Sequence, residues 1–231
     1  MPAVEELTRR PAGPPVDVPV RDRRPPGEPP ADGNGNGDHD PSPGPEPGGP
    51  ISNARLGMLM LMVGETMLFG GLIVAFLVLR LGAAVWPPPL QPRLPAGVTA
   101  ANTVVLLLSS VTLVRALRAL RLGDRGRFLR GLAWTASLGA LFLAVQGAEW
   151  ARLVRFGLTV SSGVYGGAFY TLIGAHGLHV LGALAWLALV FVAATRGRYT
   201  PKAHVGASVC AMYWHFVVAL WPILYVLVYL A

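Results

Sequence analysis

The sequence predicts an all-α integral membrane protein with five transmembrane helices, its N-terminus inside and its C-terminus outside. Three observations predict it. Five apolar stretches follow Pro50, each long enough to cross a hydrocarbon core of about 30 Å, which takes roughly 20 helical residues. Charged residues make up 13% of a 231-residue chain that is 53% hydrophobic, against about 25% in an ordinary soluble domain. The basic residues flanking the stretches fall unevenly on the two sides, and such a bias orients helices in a bilayer.

The stretches lie near residues 56–79, 99–120, 128–150, 166–194 and 205–230, within a transmembrane domain spanning 51–231. Breakers separate them: Trp86-Pro87-Pro88-Pro89, Leu122-Gly123-Asp124, Ser161-Ser162-Gly163 and Thr200-Pro201. Each run is continuously apolar rather than alternating, which argues against a closed β-barrel. Arg55, Arg115, Arg118, Arg121, Arg125, Arg127, Arg130, Arg196, Arg198 and Lys202 fall on one side. Arg80, Arg93, Arg152 and Arg155 fall on the other. The richer side is expected inside. Trp86, Trp150, Trp221 and Tyr229 then fall toward the outer interface, where amphipathic rings settle.

Residues 1–50 have a different texture. They hold nine of the 12 acidic residues, 14 of the 21 prolines and eight of the 28 glycines. Nothing there can form a packed face, so a disordered Pro/Gly-rich tail is expected. It lacks an apolar stretch that could serve as a signal-peptide core, and insertion is expected from the later helices. The net charge of +7 comes from the body, whose acids are Glu65, Asp124 and Glu149 alone. A basic body can suggest nucleic acid. These arginines sit between apolar runs, with no basic face for nucleic acid to lie on, so no nucleic-acid partner is expected. The single cysteine, Cys210, forms no intrachain disulfide and no thiolate cluster for a metal.

Polar residues within the spans are the candidate site. Glu65 lies about nine residues into the first helix, so about 13 Å deep. Gly57, Gly64 and Gly71 recur along that helix as a small-residue stripe, which lets helices approach closely. Glu65 is either a structural carboxyl hydrogen-bonded across such a contact or a proton-handling group. Gln146 and Glu149 share a face beside Trp150 and form an interfacial polar patch. His176 and His179 lie one turn apart on the fourth helix, and Trp214 and His215 lie in the fifth. Two ligands to one haem approach from opposite faces, so His176 and His179 cannot both serve one haem. A His176–His215 pair stays geometrically open, with interhelical hydrogen bonding by neutral imidazoles as the default. No serine-hydrolase elbow, Walker loop or H-E-x-x-H helix is present. Nor do internal repeats of the transporter kind show.

A set of segments in fixed order carries a resemblance. They are Arg55-Leu56-Gly57, Gly64-Glu65-Thr66-Met67-Leu68-Phe69, Trp86-Pro87-Pro88, Asn102-Thr103 and Gly123-Asp124-Arg125. Then come Gln146-Gly147-Ala148-Glu149-Trp150, Gly163-Val164-Tyr165-Gly166, His176-Gly177-Leu178-His179-Val180 and Tyr213-Trp214-His215-Phe216-Val217. Across nearly all of residues 54–230 the chain resembles subunit III of the haem-copper respiratory oxidases, in a short five-helix form. The resemblance implies a multi-pass membrane subunit bound to oxidase subunits I and II, with the haems and copper on those partners. The ratio of 18 Arg to one Lys fits a GC-rich bacterial genome, so a bacterial cell membrane is expected. The resemblance implies no redox cofactor on this chain, no catalytic residue and no metal ligand. It also implies bound phospholipid and a role in stabilising the catalytic subunit and supporting proton uptake. Glu65 matches the family's carbodiimide-reactive membrane carboxyl, and Asp124 and Arg125 lie in the inner loop. The five histidines here are fewer than the ligands the catalytic subunit of that family needs.

Two departures stand out. The tail occupies the place of two further N-terminal helices of longer members, and Val218 stands where the family commonly has Asp after Trp-His-Phe-Val. Two alternatives stay open at this stage, a subunit III-like partner of nitric oxide reductase and a membrane b-type cytochrome. The choice between cytochrome c and quinol as electron donor lies on other subunits.

Overall fold

The computed structural model describes residues 52–86, 88 and 96–230. The expected tail over 1–50 lies outside the described residues, as does Arg93. Five helices run through the rest: α1 Asn53–Leu81, α2 Ala96–Arg121, α3 Arg125–Arg155, α4 Val164–Thr195 and α5 Val205–Tyr225. A π-helical turn, Val226–Leu230, prolongs α5. No strand occurs among the described residues. All five helical segments are long and apolar enough to cross a membrane.

The helices outrun the apolar stretches that announce them. α3 has 31 residues and α4 has 32, so each is about 47 Å long at 1.5 Å per residue. That exceeds the hydrocarbon core of about 30 Å. Apolar runs stop where arginines begin, but arginine is a good helix former. The backbone therefore stays helical into the interfacial layer, where arginine heads reach water and headgroups.

The α2–α3 turn shows how sequence ends one helix and starts the next. Gly123 takes φ 79°, a left-handed conformation that a Cβ disfavours. There its N–H donates to the Leu120 carbonyl at 3.0 Å, and the next N–H, of Asp124, donates to Ala119 at 2.9 Å. This bond pair closes a helix C-terminus as a Schellman motif. Asp124 then opens α3 by accepting from the Arg127 N–H at 2.9 Å. With so short a turn, α2 and α3 form the most extensive helix pairing in the chain.

α4 packs on α3 and α5, α5 returns to α2, and α1 lies against α4 and α5. The core is built around two tryptophans of α5, two turns apart. Trp214 Nε1 donates to Ser109 Oγ at 3.1 Å, and Trp221 Nε1 donates to Thr103 Oγ1 at 2.8 Å. Both acceptors are on α2, so an α2–α5 seam is stitched where no water can satisfy an indole N–H. The ring of Trp214 leaves no room opposite: a Cβ at Gly139 of α3 would lie 2.5 Å from its Cη2.

One expectation changes. The glycine stripe of α1 is not packed within the chain, since a Cβ at Gly57, Gly64 or Gly71 would meet nothing within 4 Å. The buried residues of α1 are Met58, Phe69 and Phe76, on a narrow aromatic-rich stripe instead. The four rings expected at the outer interface pack against neighbouring helices. Trp221 is 1% exposed, and Tyr229 accepts a hydrogen bond from Gln146 Nε2 at 3.0 Å. Trp86 packs edge-on against Phe76 and Tyr165, and Trp150 covers Gly177 of α4. Of their polar groups, Trp221 Nε1 donates to Thr103 Oγ1 and the Tyr229 hydroxyl accepts from Gln146.

Candidate functional site

The three acids of the body each sit beside a basic group. Asp124 Oδ2 lies 3.3 Å from Arg127 Nε, Glu149 Oε1 lies 2.7 Å from Arg152 Nη1, and Glu65 Oε2 lies 2.9 Å from His179 Nε2. The first two pairs are neighbours on one helix surface and tie down helix ends. The third joins two helices, α1 and α4. The two residues were both visible as candidates in the sequence; their pairing was not.

His179 makes this pair chemically distinctive. Its Nδ1 lies 2.7 Å from the Ala175 carbonyl oxygen. A carbonyl only accepts, so Nδ1 carries a hydrogen. Nε2 of a neutral ring is then an acceptor facing Glu65. One proton can therefore lie on either side of the contact, as a carboxylic acid beside neutral imidazole or as carboxylate beside imidazolium. Either way the pair is neutral overall. The contact is short but poorly aligned as a hydrogen bond. Both side chains are largely shielded, and the Phe69 ring stands edge-on to His179 with centroids 5.0 Å apart.

The other two membrane histidines have different surroundings. His176 is 0% exposed and stacks on Trp221, with ring centroids 5.1 Å apart. His215 Nδ1 is hydrogen-bonded to Ser110 Oγ of α2. Nothing in the sequence marked Ser110, and its only signal is a small polar residue in a long apolar run, beside Ser109. Among the described residues, no group of three or more His, Cys, Asp or Glu side chains could hold a metal ion.

At one end of the bundle Gln146 is buried against Tyr229, and Glu149 is buried beneath Arg152. At the other end Arg125 Nη2 donates to the Thr195 carbonyl at 2.6 Å. A cation there satisfies an orphan carbonyl of the last turn of α4 and complements its dipole. Arg125 thus clamps the α2–α3 turn to the end of α4, while Asp124 caps α3. Arg80, which the sequence marked only as a flanking charge, donates from Nη1 to Leu227 O at 2.8 Å. It holds the end of α1 on the π-helical turn.

Fold and site together define a class, a polytopic helical membrane subunit whose intramembrane polar groups brace one helix against another. The particular family follows from comparison: the chain belongs to the cytochrome c oxidase subunit III family, whose family model matches residues 50–231. A protein of Equus caballus named cytochrome c oxidase subunit 3 is 36% identical over 181 residues, covering 76% of this chain and 68% of that protein. One of the same name from Synechocystis sp. is 34% identical over 175 residues, covering 75% and 74%. Another from Sus scrofa is 34% identical over 181 residues, covering 76% and 68%. The chain is a non-catalytic subunit of an oxidase complex in the membrane.

Proposed function

We propose that this subunit stabilises the catalytic subunit of a haem-copper terminal oxidase and supports its proton uptake, without carrying electrons itself. Its partners on this reading are oxidase subunits I and II, which hold the haems and copper, together with membrane lipid in a bacterial cell membrane. The observation that carries the reading is the use made of the membrane histidines. His179 braces α1 to α4 through Glu65, and His215 braces α5 to α2 through Ser110. Such contacts build a scaffold. The Glu65–His179 pair adds one relocatable proton to it, on the helix least covered by its own chain.

The arginines around the α2–α3 turn repel protons rather than gather them. Shielding and stabilisation of the partner therefore outweigh any role as a proton antenna. The nitric oxide reductase and b-type cytochrome readings find no support in relatives named as subunit 3 of cytochrome c oxidase.

Deleting the gene and following oxygen consumption over many turnovers tests the proposal. The haem spectrum and the initial rate should persist while activity decays sooner, most steeply at neutral to alkaline pH where protons are scarce. Loss of the haem signal with the initial activity would make this an assembly factor. An unchanged rate with unchanged durability would refute the scaffold reading.

A further inference from the structure

We propose that the groove between α2 and α3, at their shared turn, binds the phosphate headgroup of an anionic phospholipid from the leaflet on that side. The groove has a volume of about 340 Å³ and is lined by Arg115, Arg127, Arg130, Gly131 and Trp134, with Ala116 and Ala119 on its floor. Its floor is shallow for a physical reason. A Cβ at Gly131 would lie 2.6 Å from the Ala116 Cβ and 3.0 Å from its Cα, so the two helices touch there without an intervening side chain. Longer side chains rise only at the rims, and three of them are arginines.

The groove has more positive charge than the protein neutralises. Asp124 is the one carboxylate at this turn; its Oδ1 caps α3 and its Oδ2 pairs with Arg127. Among the described residues no carboxylate pairs with Arg115 or Arg130. Guanidinium forks match phosphate oxygens two at a time. A general bias of arginines toward one side requires only that they lie on that side. Here three converge on one groove, and what lies below them fits an acyl chain.

Along α2, Arg115 is followed toward the bilayer centre by Val111, Leu108 and Val104, all exposed. Along α3, Arg130 is followed by Trp134, which is 64% exposed, and then by Leu141. Trp134 lies one turn, about 6 Å, below Arg130. An indole at that depth bridges headgroup and hydrocarbon. The arrangement thus stacks cation, amphipathic ring and apolar stripe in the order of a phospholipid's own parts. The lipid's anionic charge is the recognised feature, since a zwitterionic choline headgroup brings its own cation to the arginines.

The test uses the full chain in phosphatidylcholine nanodiscs. Phosphatidylglycerol or phosphatidylcholine with brominated acyl chains is titrated in, and Trp134 quenching is read as the difference between wild type and W134F. Brominated phosphatidylglycerol should half-quench Trp134 at roughly tenfold lower mole fraction than brominated phosphatidylcholine, given a contribution of several-fold per arginine near the surface. R115Q/R130Q should abolish that preference, and R115K/R130K should retain part of it. Should R115Q/R130Q fail to fold by circular dichroism, the wild-type titration and the lysine pair decide alone. Equal quenching by the two lipids overturns the proposal, as does a preference that survives in R115Q/R130Q. Displacement by inorganic phosphate as effective as displacement by unlabelled phosphatidylglycerol would assign the groove to a soluble anion and overturn it too.

Discussion

A proton shared by Glu65 and His179, as proposed above, has two resting places, on the carboxyl or on Nε2. The Ala175 carbonyl holds the hydrogen on Nδ1, so Nε2 alone can exchange with the carboxyl. This sets what substitutions do. Glu65→Gln keeps a side chain whose amide can donate to Nε2, so the fold should be retained. Glu65→Ala leaves the ring nitrogen unpaired between helices and should destabilise the chain by about 1–2 kcal/mol. A hydrophobic carbodiimide should label Glu65, and the label should vanish in E65Q. It should rise in H179A, where the carboxyl has no base to take its proton. Mass spectrometry of labelled peptides reads this directly, and equal labelling in H179A and wild type would count against a shared proton. Glu65 was legible in the sequence because a carboxyl in a long apolar run has no bland environment. His179 as its partner was not, because the choice between His176 and His179 depends on the rotation of α4 about its axis. That rotation places His176 on Trp221 instead.

At the scale of helices, glycines that look alike in the sequence do opposite things. Gly139 admits Trp214, and a Cβ there would come within 2.5 Å of the indole. Gly139→Ala should therefore cost about 1–3 kcal/mol through overpacking, read as a lower thermal midpoint of the purified chain. Gly64→Ala adds its methyl to open space, so the midpoint of the isolated chain should not fall. An equal loss in both variants would mean that α1 packs on its stripe after all. The regular seven-residue spacing of Gly57, Gly64 and Gly71 promised a packed stripe, yet it faces away from α4 and α5. Periodicity reports that one face differs from the rest; it does not report which neighbour that face meets. The number and kind of helices were legible because a bilayer demands long apolar runs. The helix ends were less so, since helices such as α3 continue through their flanking arginines.

For the whole molecule, the charge distribution makes a claim that a labelling experiment can decide. Ten basic residues flank one side of the five spans and four flank the other. Six of the ten lie between Arg115 and Arg130, around the turn that Gly123 and Asp124 build. Translocating that turn would carry all six across the bilayer, whereas the opposite loops carry few charges. The α2–α3 turn and the α4–α5 loop are therefore expected inside, with the α3–α4 loop outside. The native cysteine, Cys210, is buried, so it contributes little background to thiol labelling. Ser161 and Lys202 are exposed and lie in loops on opposite sides of α4. In intact cells an impermeant maleimide should label S161C and leave K202C unmodified. Permeabilising the membrane should then expose K202C to the reagent. The reverse pattern would invert the topology, and with it the leaflet in which the Arg115–Arg130 groove meets its lipid.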